Sequence, residues 1–157
     1  MQNFKLNEKD ILSNQDWTFP TNIAYGPGRL KEIGSICNNL DIKNPLIVTD
    51  KGSPKLPFIT NLQSYLAKSN VKSNLFFDIS PNPREDEVSV GCKKYKDGNH
   101  DSIIAIGGGS AMDGGKLICL TANNEVPLKD FEINDNPSKA APSHIGLKPG
   151  TQYPSIP

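Results

Sequence analysis

The chain has 157 residues, a length that suits one domain burying about two-thirds of the surface that its unfolded chain would expose. Of these residues 36% are hydrophobic and 22% are charged, as in globular proteins, and Lys plus Arg equals Asp plus Glu at 17 each. This balanced charge gives no reason to expect a nucleic acid or an anionic membrane as partner, so a small molecule is the expected ligand.

The N-terminal sequence and the cysteine spacing indicate where the protein is located and which kinds of cysteine site it lacks. The N-terminus has no apolar core of the signal-peptide kind, and no apolar run approaches membrane-spanning length, so we expect a cytoplasmic protein. The three cysteines, Cys37, Cys92 and Cys119, are widely spaced, and each falls in a predicted helix. We expect small buried hydrophobic residues there rather than a disulfide framework, a redox pair or a zinc site.

The N-terminal part of the chain predicts an arm, a strand and a helix. Residues 1–17 are polar and irregular, which predicts a flexible N-terminal arm before an α/β domain over residues 18–141. Residues 18–25 predict a strand that Pro20 interrupts, which favours an edge position. A Gly-Pro-Gly turn follows, and an amphipathic helix is predicted over residues 28–40, with apolar residues at helical spacing: Leu30, Ile33, Cys37 and Leu40.

A short apolar run over residues 45–50 predicts a buried parallel strand that ends at Asp50. In open α/β sheets ligands lie outside the carboxyl ends of the strands, where an acidic residue commonly holds the ribose hydroxyls of an adenosine. The alternative is that Asp50 only forms a turn or caps a helix, since Asp is frequent in both roles. Taken alone, Asp50 favours this alternative.

The middle of the chain predicts a helix around Ile59, a strand at residues 75–77 and a helix over residues 84–97. Between that strand and that helix, Pro81 and Pro83 restrict the backbone on either side of Asn82 and hold its amide in one direction. This rigid loop is either a binding edge or only a stiff connection, and without further context we favour the connection.

A glycine turn stands at the centre of the functional prediction. Residues 103–106 predict a buried strand that runs directly into Gly107, Gly108 and Gly109, and a helix follows with Ser110 as its expected N-cap. The first amides of a helix have no intrahelical partner and carry the positive end of the macrodipole, which suits the pyrophosphate of a nucleotide. The alternative is a plain strand-to-helix turn that binds nothing.

The residues after the glycines favour the binding interpretation. Asp113 and Lys116 present a carboxylate and an ammonium in the first two turns of the helix, near the glycine loop. Gly114 and Gly115 would let the helix lie close against a strand or a neighbouring loop, although each costs roughly 1 kcal/mol in helix propensity.

From residue 45 onwards strands and helices alternate, which predicts an α/β fold with a parallel sheet flanked by helices. Together with the glycine turn, this favours a Rossmann-like dinucleotide-binding domain. One detail departs from the usual dinucleotide fingerprint, in which the acidic residue follows the glycine turn by about 20 residues. Here Asp50 precedes Gly107, so a simple Gly-x-Gly-x-x-Gly match is rejected.

Three motifs in a fixed order resemble the N-terminal domain of the iron-containing (group III) alcohol dehydrogenases. They are Asp50 at a strand end, the Pro81-Asn82-Pro83 turn and the run Gly-Gly-Gly-Ser-Ala-Met-Asp-Gly-Gly-Lys over residues 107–116. The resemblance covers about residues 19–141. Glycerol dehydrogenases and dehydroquinate synthases share the domain and are less close, so a glycerol dehydrogenase-like enzyme stays an alternative.

The resemblance implies an NAD(P)-dependent oxidoreductase that interconverts alcohols with aldehydes or ketones. It implies that the cofactor is bound by Asp50, Asn82, Gly107, Gly108, Gly109, Ser110, Asp113 and Lys116. With a carboxylate at the ribose, NAD is favoured over NADP, because Asp50 would repel a 2′-phosphate. Family members hold Fe²⁺ or Zn²⁺ with an Asp and three His in a C-terminal helical domain. The partner expected is an alcohol or aldehyde, and a homodimer stays open.

The last residues depart from the family pattern. Residues 142–157 carry four prolines and predict an irregular tail where the family has a buried strand and a cofactor-covering loop. We therefore expect a truncated or frameshifted member with no metal ligands and no catalytic residue of its own. It would bind NAD weakly and be inactive by itself. The alternatives are a non-catalytic nucleotide-binding module and a fragment that folds poorly.

Overall fold

The computed structural model describes residues 15–18 by their backbone, residues 22–124 and residue 128, and the predicted tail at 142–157 lies outside these ranges. The strands are β1 Gln15–Thr18, β2 Asn22–Tyr25, β3 Pro45–Asp50, β4 Asn74–Ile79 and β5 Ser102–Ala105. The helices are α1 Ile33–Asn39, α2 Pro57–Lys68, α3 Glu85–Asp97 and α4 Gly109–Ala122, and a 3₁₀ turn at Arg29–Glu32 precedes α1.

The first two strands form an antiparallel hairpin, in which Gln15 lies opposite Tyr25 and Thr18 lies opposite Asn22. The prediction of one strand over residues 18–25 is therefore wrong. Pro20 falls between the two strands in sequence. Because proline has no N–H to donate, a single strand through it would lose a ladder hydrogen bond, and two strands avoid that loss.

The main sheet has three parallel strands in the order β4-β3-β5, which confirms the predicted α/β class. The central strand β3 is buried along most of its length, as its run of apolar residues predicts. The pairing of β3 with β4 is irregular, because Val48 lies opposite Phe76 but Asp50 lies opposite Ile79. With this bulge, Phe76 and Ile79 are both buried although they are three residues apart. The strand β4 extends over Asn74–Ile79 and is longer than the predicted 75–77.

Side chains on the two faces of β3 enter two separate apolar clusters. On one face Leu46 and Val48 pack in a cluster with residues of β4, α3 and α4. On the other face Ile47 packs in a cluster with residues of α1 and α2. The helices therefore cover both faces of the sheet, as parallel strands require.

Two glycines in α4 bring that helix close to the sheet, as predicted. A Cβ added to Gly115 would lie 2.5 Å from the Cβ of Ala105 in β5, and one added to Gly114 would lie 2.8 Å from Ile79 Cδ1 in β4. Both distances are below ordinary van der Waals contact, so side chains at these positions would push the helix outward. None of the helices in the described part of the chain is long and apolar enough to span a membrane.

Candidate nucleotide-binding site

The candidate site lies where the connections of two neighbouring strands diverge. The chain leaves β3 toward α2, whose side chains pack on one face of the sheet, and it leaves β5 toward α4, which packs on the other face. Since β3 and β5 are adjacent and parallel, their loops separate above the same edge. A crevice of this kind, at the carboxyl ends of the strands, is where open α/β sheets bind ligands. Asp50 and Gly107 stand on its two sides.

The glycine loop connects β5 to α4 in a conformation that needs glycine at one position. Gly107 has φ +139°, and a Cβ there would lie 2.8 Å from the Cβ of Ala111. Gly108 is the N-cap of α4, and no side chain caps the helix, so the prediction of Ser110 as N-cap is wrong. The helix begins earlier than expected, directly after Gly108, which places Ser110 inside its first turn.

The N-cap and the first residue of α4 lie beside open space, although Ala111 in the same turn is buried. Cβ atoms added to Gly108 and Gly109 would meet nothing within 4 Å. The first helical hydrogen bond there runs from the Met112 N–H to the Gly108 carbonyl at 3.1 Å, so the amides of residues 109–111 have no intrahelical acceptor. This arrangement offers N–H donors and the positive end of the helix dipole to an anion.

Asp50 forms a turn and also lies against the glycine loop. Its Oδ1 accepts a hydrogen bond from the Gly52 N–H at 2.9 Å, and its Oδ2 accepts one from the Ser53 hydroxyl at 2.8 Å. The turn-forming role that its sequence position favours is thus confirmed. In addition, Oδ2 lies 3.1 Å from the position that a Cβ on Gly107 would take. A carboxylate has about four acceptor sites, so acceptor capacity is left for a ligand hydroxyl.

Thr49, the residue before Asp50, is a buried polar group that sequence reasoning did not single out. Its side chain is 0% exposed, and its hydroxyl has no hydrogen-bond partner among the described residues. The hydroxyl oxygen lies 3.3 Å from the position of a Cβ on Gly107. The only signal in the sequence is a hydroxyl residue at the end of an otherwise apolar strand.

Glu87 in α3 joins two of the loops at this edge, and it too was missed. Its Oε1 pairs with Lys51 Nζ at 2.8 Å, while its Oε2 accepts hydrogen bonds from the Ser80 hydroxyl at 2.8 Å and the Arg84 N–H at 3.3 Å. These contacts, the Lys51 pair above all, lower the pKa of Glu87 to about 2, against the opposing effect of desolvation. A Glu three residues after the N-cap, here Arg84, as in a capping box, is the signal that could have found it.

The other predicted site residues lie at or near the same edge but are exposed. Asn82 follows β4, and its carbonyl accepts a hydrogen bond from the Ser80 hydroxyl at 2.9 Å. Asp113 and Lys116 form an ion pair on α4 at 3.8 Å, with side chains 63% and 72% exposed. An exposed pair of this kind contributes little to stability, so both side chains are available to rearrange around a ligand.

No group of three or more His, Cys, Asp or Glu side chains that could hold a metal ion occurs within the described ranges. The residues there therefore do not fit the iron or zinc site that the resemblance implies. His100 is buried before β5, where Nδ1 donates to the Asn44 carbonyl at 2.8 Å. The three cysteines each lie in a helix, as predicted, but Cys37 is buried whereas Cys92 and Cys119 are half-buried. Burial raises the pKa of each thiol.

The family follows from a match over most of the chain. A family model described as iron-containing alcohol dehydrogenase matches residues 20–151. The chain belongs to the iron-containing alcohol dehydrogenase family. Alcohol dehydrogenase 4 of Saccharomyces cerevisiae is 34% identical over 117 residues, which are 74% of this chain and 31% of that protein. This chain spans about a third of the length of the curated alcohol dehydrogenases it matches.

Solved structures of similar proteins share the fold. NADH-dependent butanol dehydrogenase A from Thermotoga maritima superposes with a TM-score of 0.67 at 25% identity, over 76% of this chain and 30% of that one. Sulfoacetaldehyde reductase from Bifidobacterium kashiwanohense, solved in complex with NAD⁺, has a TM-score of 0.59 at 26% identity, over 71% and 29%. Both of these proteins therefore contain the same α/β fold as this chain.

Proposed function

We propose that this chain binds NAD in the crevice between the carboxyl ends of β3 and β5. In this proposal the chain is the cofactor-binding part of a dehydrogenase that interconverts alcohols with aldehydes or ketones. The observation that carries the proposal is the placement of the Asp50 carboxylate beside a glycine loop that has no side chain packed at Gly108 or Gly109 and that leads into unpaired helix amides. The NAD⁺ complex of sulfoacetaldehyde reductase and the NADH dependence of the butanol dehydrogenase support it.

Each side of the crevice has a separate task in this proposal. The amides of the first turn of α4 hold the pyrophosphate, since Gly108 and Gly109 have no side chains to keep phosphate oxygens away from the backbone. Asp50 accepts hydrogen bonds from the ribose hydroxyls, and its charge disfavours a 2′-phosphate, so NAD is favoured over NADP. Asn82 lines the cleft, and Asp113 shapes the loop near the nicotinamide end. The bound cofactor supplies hydride transfer.

Glu87 keeps the loops that carry these groups together. Its ion pair with Lys51 holds the residue after Asp50, and its bonds with Ser80 and Arg84 hold the loop that contains Asn82. The Glu87 side chain is only 5% exposed, so it offers little surface to a ligand, although its partner Lys51 is 52% exposed. Glu87 is therefore a positioning residue and is not proposed to touch the cofactor.

The decisive experiment is calorimetric titration of the purified chain with NADH and with NADPH. Asp50→Asn removes the negative charge but keeps an oxygen for the Gly52 N–H, so the turn survives. We expect the variant to bind NADPH better relative to NADH by about fivefold or more, as loss of one nearby charge repulsion predicts. Asp97→Asn, an equal charge change at an exposed site at the end of α3, is the matched control and should leave the ratio unchanged. An unchanged ratio in Asp50→Asn would contradict the ribose role.

We further propose that the 157-residue chain has no turnover by itself. An Asp and three His, the metal ligands that the resemblance implies, have no counterpart among residues 22–124. The test is alcohol oxidation by the purified chain with NAD and added Fe²⁺ or Zn²⁺, measured as NADH absorbance. We expect binding of NADH without production of it, and steady production would overturn this part of the proposal.

A further inference from the structure

The starting point is the hydroxyl of Thr49, which is fully buried at the end of β3 and has no hydrogen-bond partner in the described part of the chain. Leaving a buried hydroxyl unpaired destabilises the folded state, because the group loses its bonds to water and gains none in return. Buried polar groups in native proteins are nearly always paired, so an exception calls for a physical reason.

The surroundings of Thr49 point to the glycine loop. A Cβ atom added to Gly107 would lie 3.3 Å from the Thr49 hydroxyl oxygen and 3.1 Å from Asp50 Oδ2. Both side chains therefore approach the same loop residue. The hydroxyl therefore lies under the one loop residue whose φ, at +139°, only glycine adopts readily. Beyond that residue, Gly108 and Gly109 face open space. No packed side chain therefore lies beside the loop at these two positions.

We propose that Thr49 is a positioning residue for the dinucleotide, whose hydroxyl is unpaired in the free protein and gains a partner when the bound cofactor orders the glycine loop. The inference rests on the proposed function. The hydroxyl can donate to the Asp50 carboxylate or accept from a loop amide, and either bond fixes a group that the cofactor uses. Thr49 would then contribute to cofactor binding and not to folding.

The test compares Thr49→Val with the unsubstituted chain in two measurements, the urea midpoint without ligand and the Kd for NADH by calorimetry. Valine has nearly the shape of threonine but no hydroxyl. We expect the urea midpoint to rise and Tm to increase by about 2–4 °C, because an unpaired buried polar atom is removed. We expect the Kd to rise about fivefold, since one hydrogen bond of the bound state is lost.

Two further variants separate positioning from packing. Thr49→Ser keeps the hydroxyl and loses a methyl group, so its Kd should stay within about twofold of the unsubstituted value while its urea midpoint falls. Thr60→Val makes the same substitution at an exposed site in α2 and should leave the Kd unchanged. A purely structural role for Thr49 would instead move stability and affinity in the same direction.

The outcomes are distinguishable. A Thr49→Val chain that is more stable and binds NADH more weakly supports the inference. A less stable or unfolded Thr49→Val chain shows that the hydroxyl is paired in the free protein and overturns it, as does an unchanged Kd. If the unsubstituted chain itself does not bind NADH, the proposed function fails and this inference fails with it.

Discussion

A pair of alanine substitutions in the glycine loop separates what the loop does for folding from what it does for binding. In Gly109→Ala the new Cβ meets nothing within 4 Å at the first position of α4. In Gly107→Ala the new Cβ lies 2.8 Å from the Cβ of Ala111, on a backbone with φ +139°. The two changes are chemically identical and lie in the same loop, so each is the control for the other.

The structure predicts opposite effects on stability. Gly109→Ala should raise the free energy of unfolding by up to about 0.5–1 kcal/mol, because alanine restricts the unfolded chain more than glycine does. Gly107→Ala should lower it by about 2–4 kcal/mol, which combines a left-handed backbone that alanine disfavours with the overlap on Ala111. Urea denaturation followed by circular dichroism at 222 nm measures both.

The affinity for NADH should not change in the same direction as the free energy of unfolding in Gly109→Ala. In Gly109→Ala a methyl group stands in the open space before the first helix amides, where the proposed pyrophosphate lies. Loss of one hydrogen bond to a charged phosphate is worth about 1.5–3 kcal/mol, so the Kd for NADH should rise by roughly 10- to 100-fold. If Gly109→Ala binds NADH as tightly as the unsubstituted chain, the amides do not hold the pyrophosphate and the loop is a plain turn.

Two further predictions concern the residues that support the site. The pKa of Glu87 is about 2, below its ordinary value of 4.5, so its ionisation stabilises the folded protein above pH 4.5 and this contribution is lost as the pH falls toward 2. Glu87→Gln should flatten the dependence of the urea midpoint on pH in that window, and an equally steep dependence in the variant would assign the acid sensitivity elsewhere. Gly115→Ala should lower the free energy of unfolding by about 1–3 kcal/mol, because the new methyl lies 2.5 Å from Ala105 Cβ. A double-mutant cycle with Ala105→Gly should show coupling, whereas purely additive effects would contradict the close approach of α4 to β5.

Local patterns in the chain predicted the parallel sheet and both sides of the candidate site. The apolar run that ends at Asp50 and the apolar run before Gly107 each predict a strand, and the residues after each run predict a turn. Because parallel strands present their carboxyl ends at one edge, these two runs place Asp50 and Gly107 at the same edge of the sheet, although they do not show that the two strands are neighbours. The same motifs carried the resemblance to the family that the match over residues 20–151 confirms.

Other features depended on contacts that local patterns do not record. Ser110 was expected as the N-cap of α4, but the N-cap is Gly108. The helix begins where the backbone φ and ψ angles become helical, which is at Gly109, and the residue types do not show this position. The bulge in β4 depends on its pairing with β3, so the run around Phe76 could not show it. Glu87 looked like one of several acidic residues at a helix start until the structure placed it against Lys51 and Ser80.

The order of apolar, glycine and acidic residues along the chain thus determined the fold class, the family and the edge of the sheet that carries the candidate site. Only the tertiary structure decided three features of the site. These are the central place of β3 in the sheet, the position of Asp50 beside the glycine loop, and the burial of the Thr49 hydroxyl near that loop with no partner among the described residues. The reason is physical. Burial and turn formation act over a few neighbouring residues and leave periodic traces in a sequence, whereas the partner of a polar side chain depends on which strands pair, and strand pairing joins residues far apart in the chain.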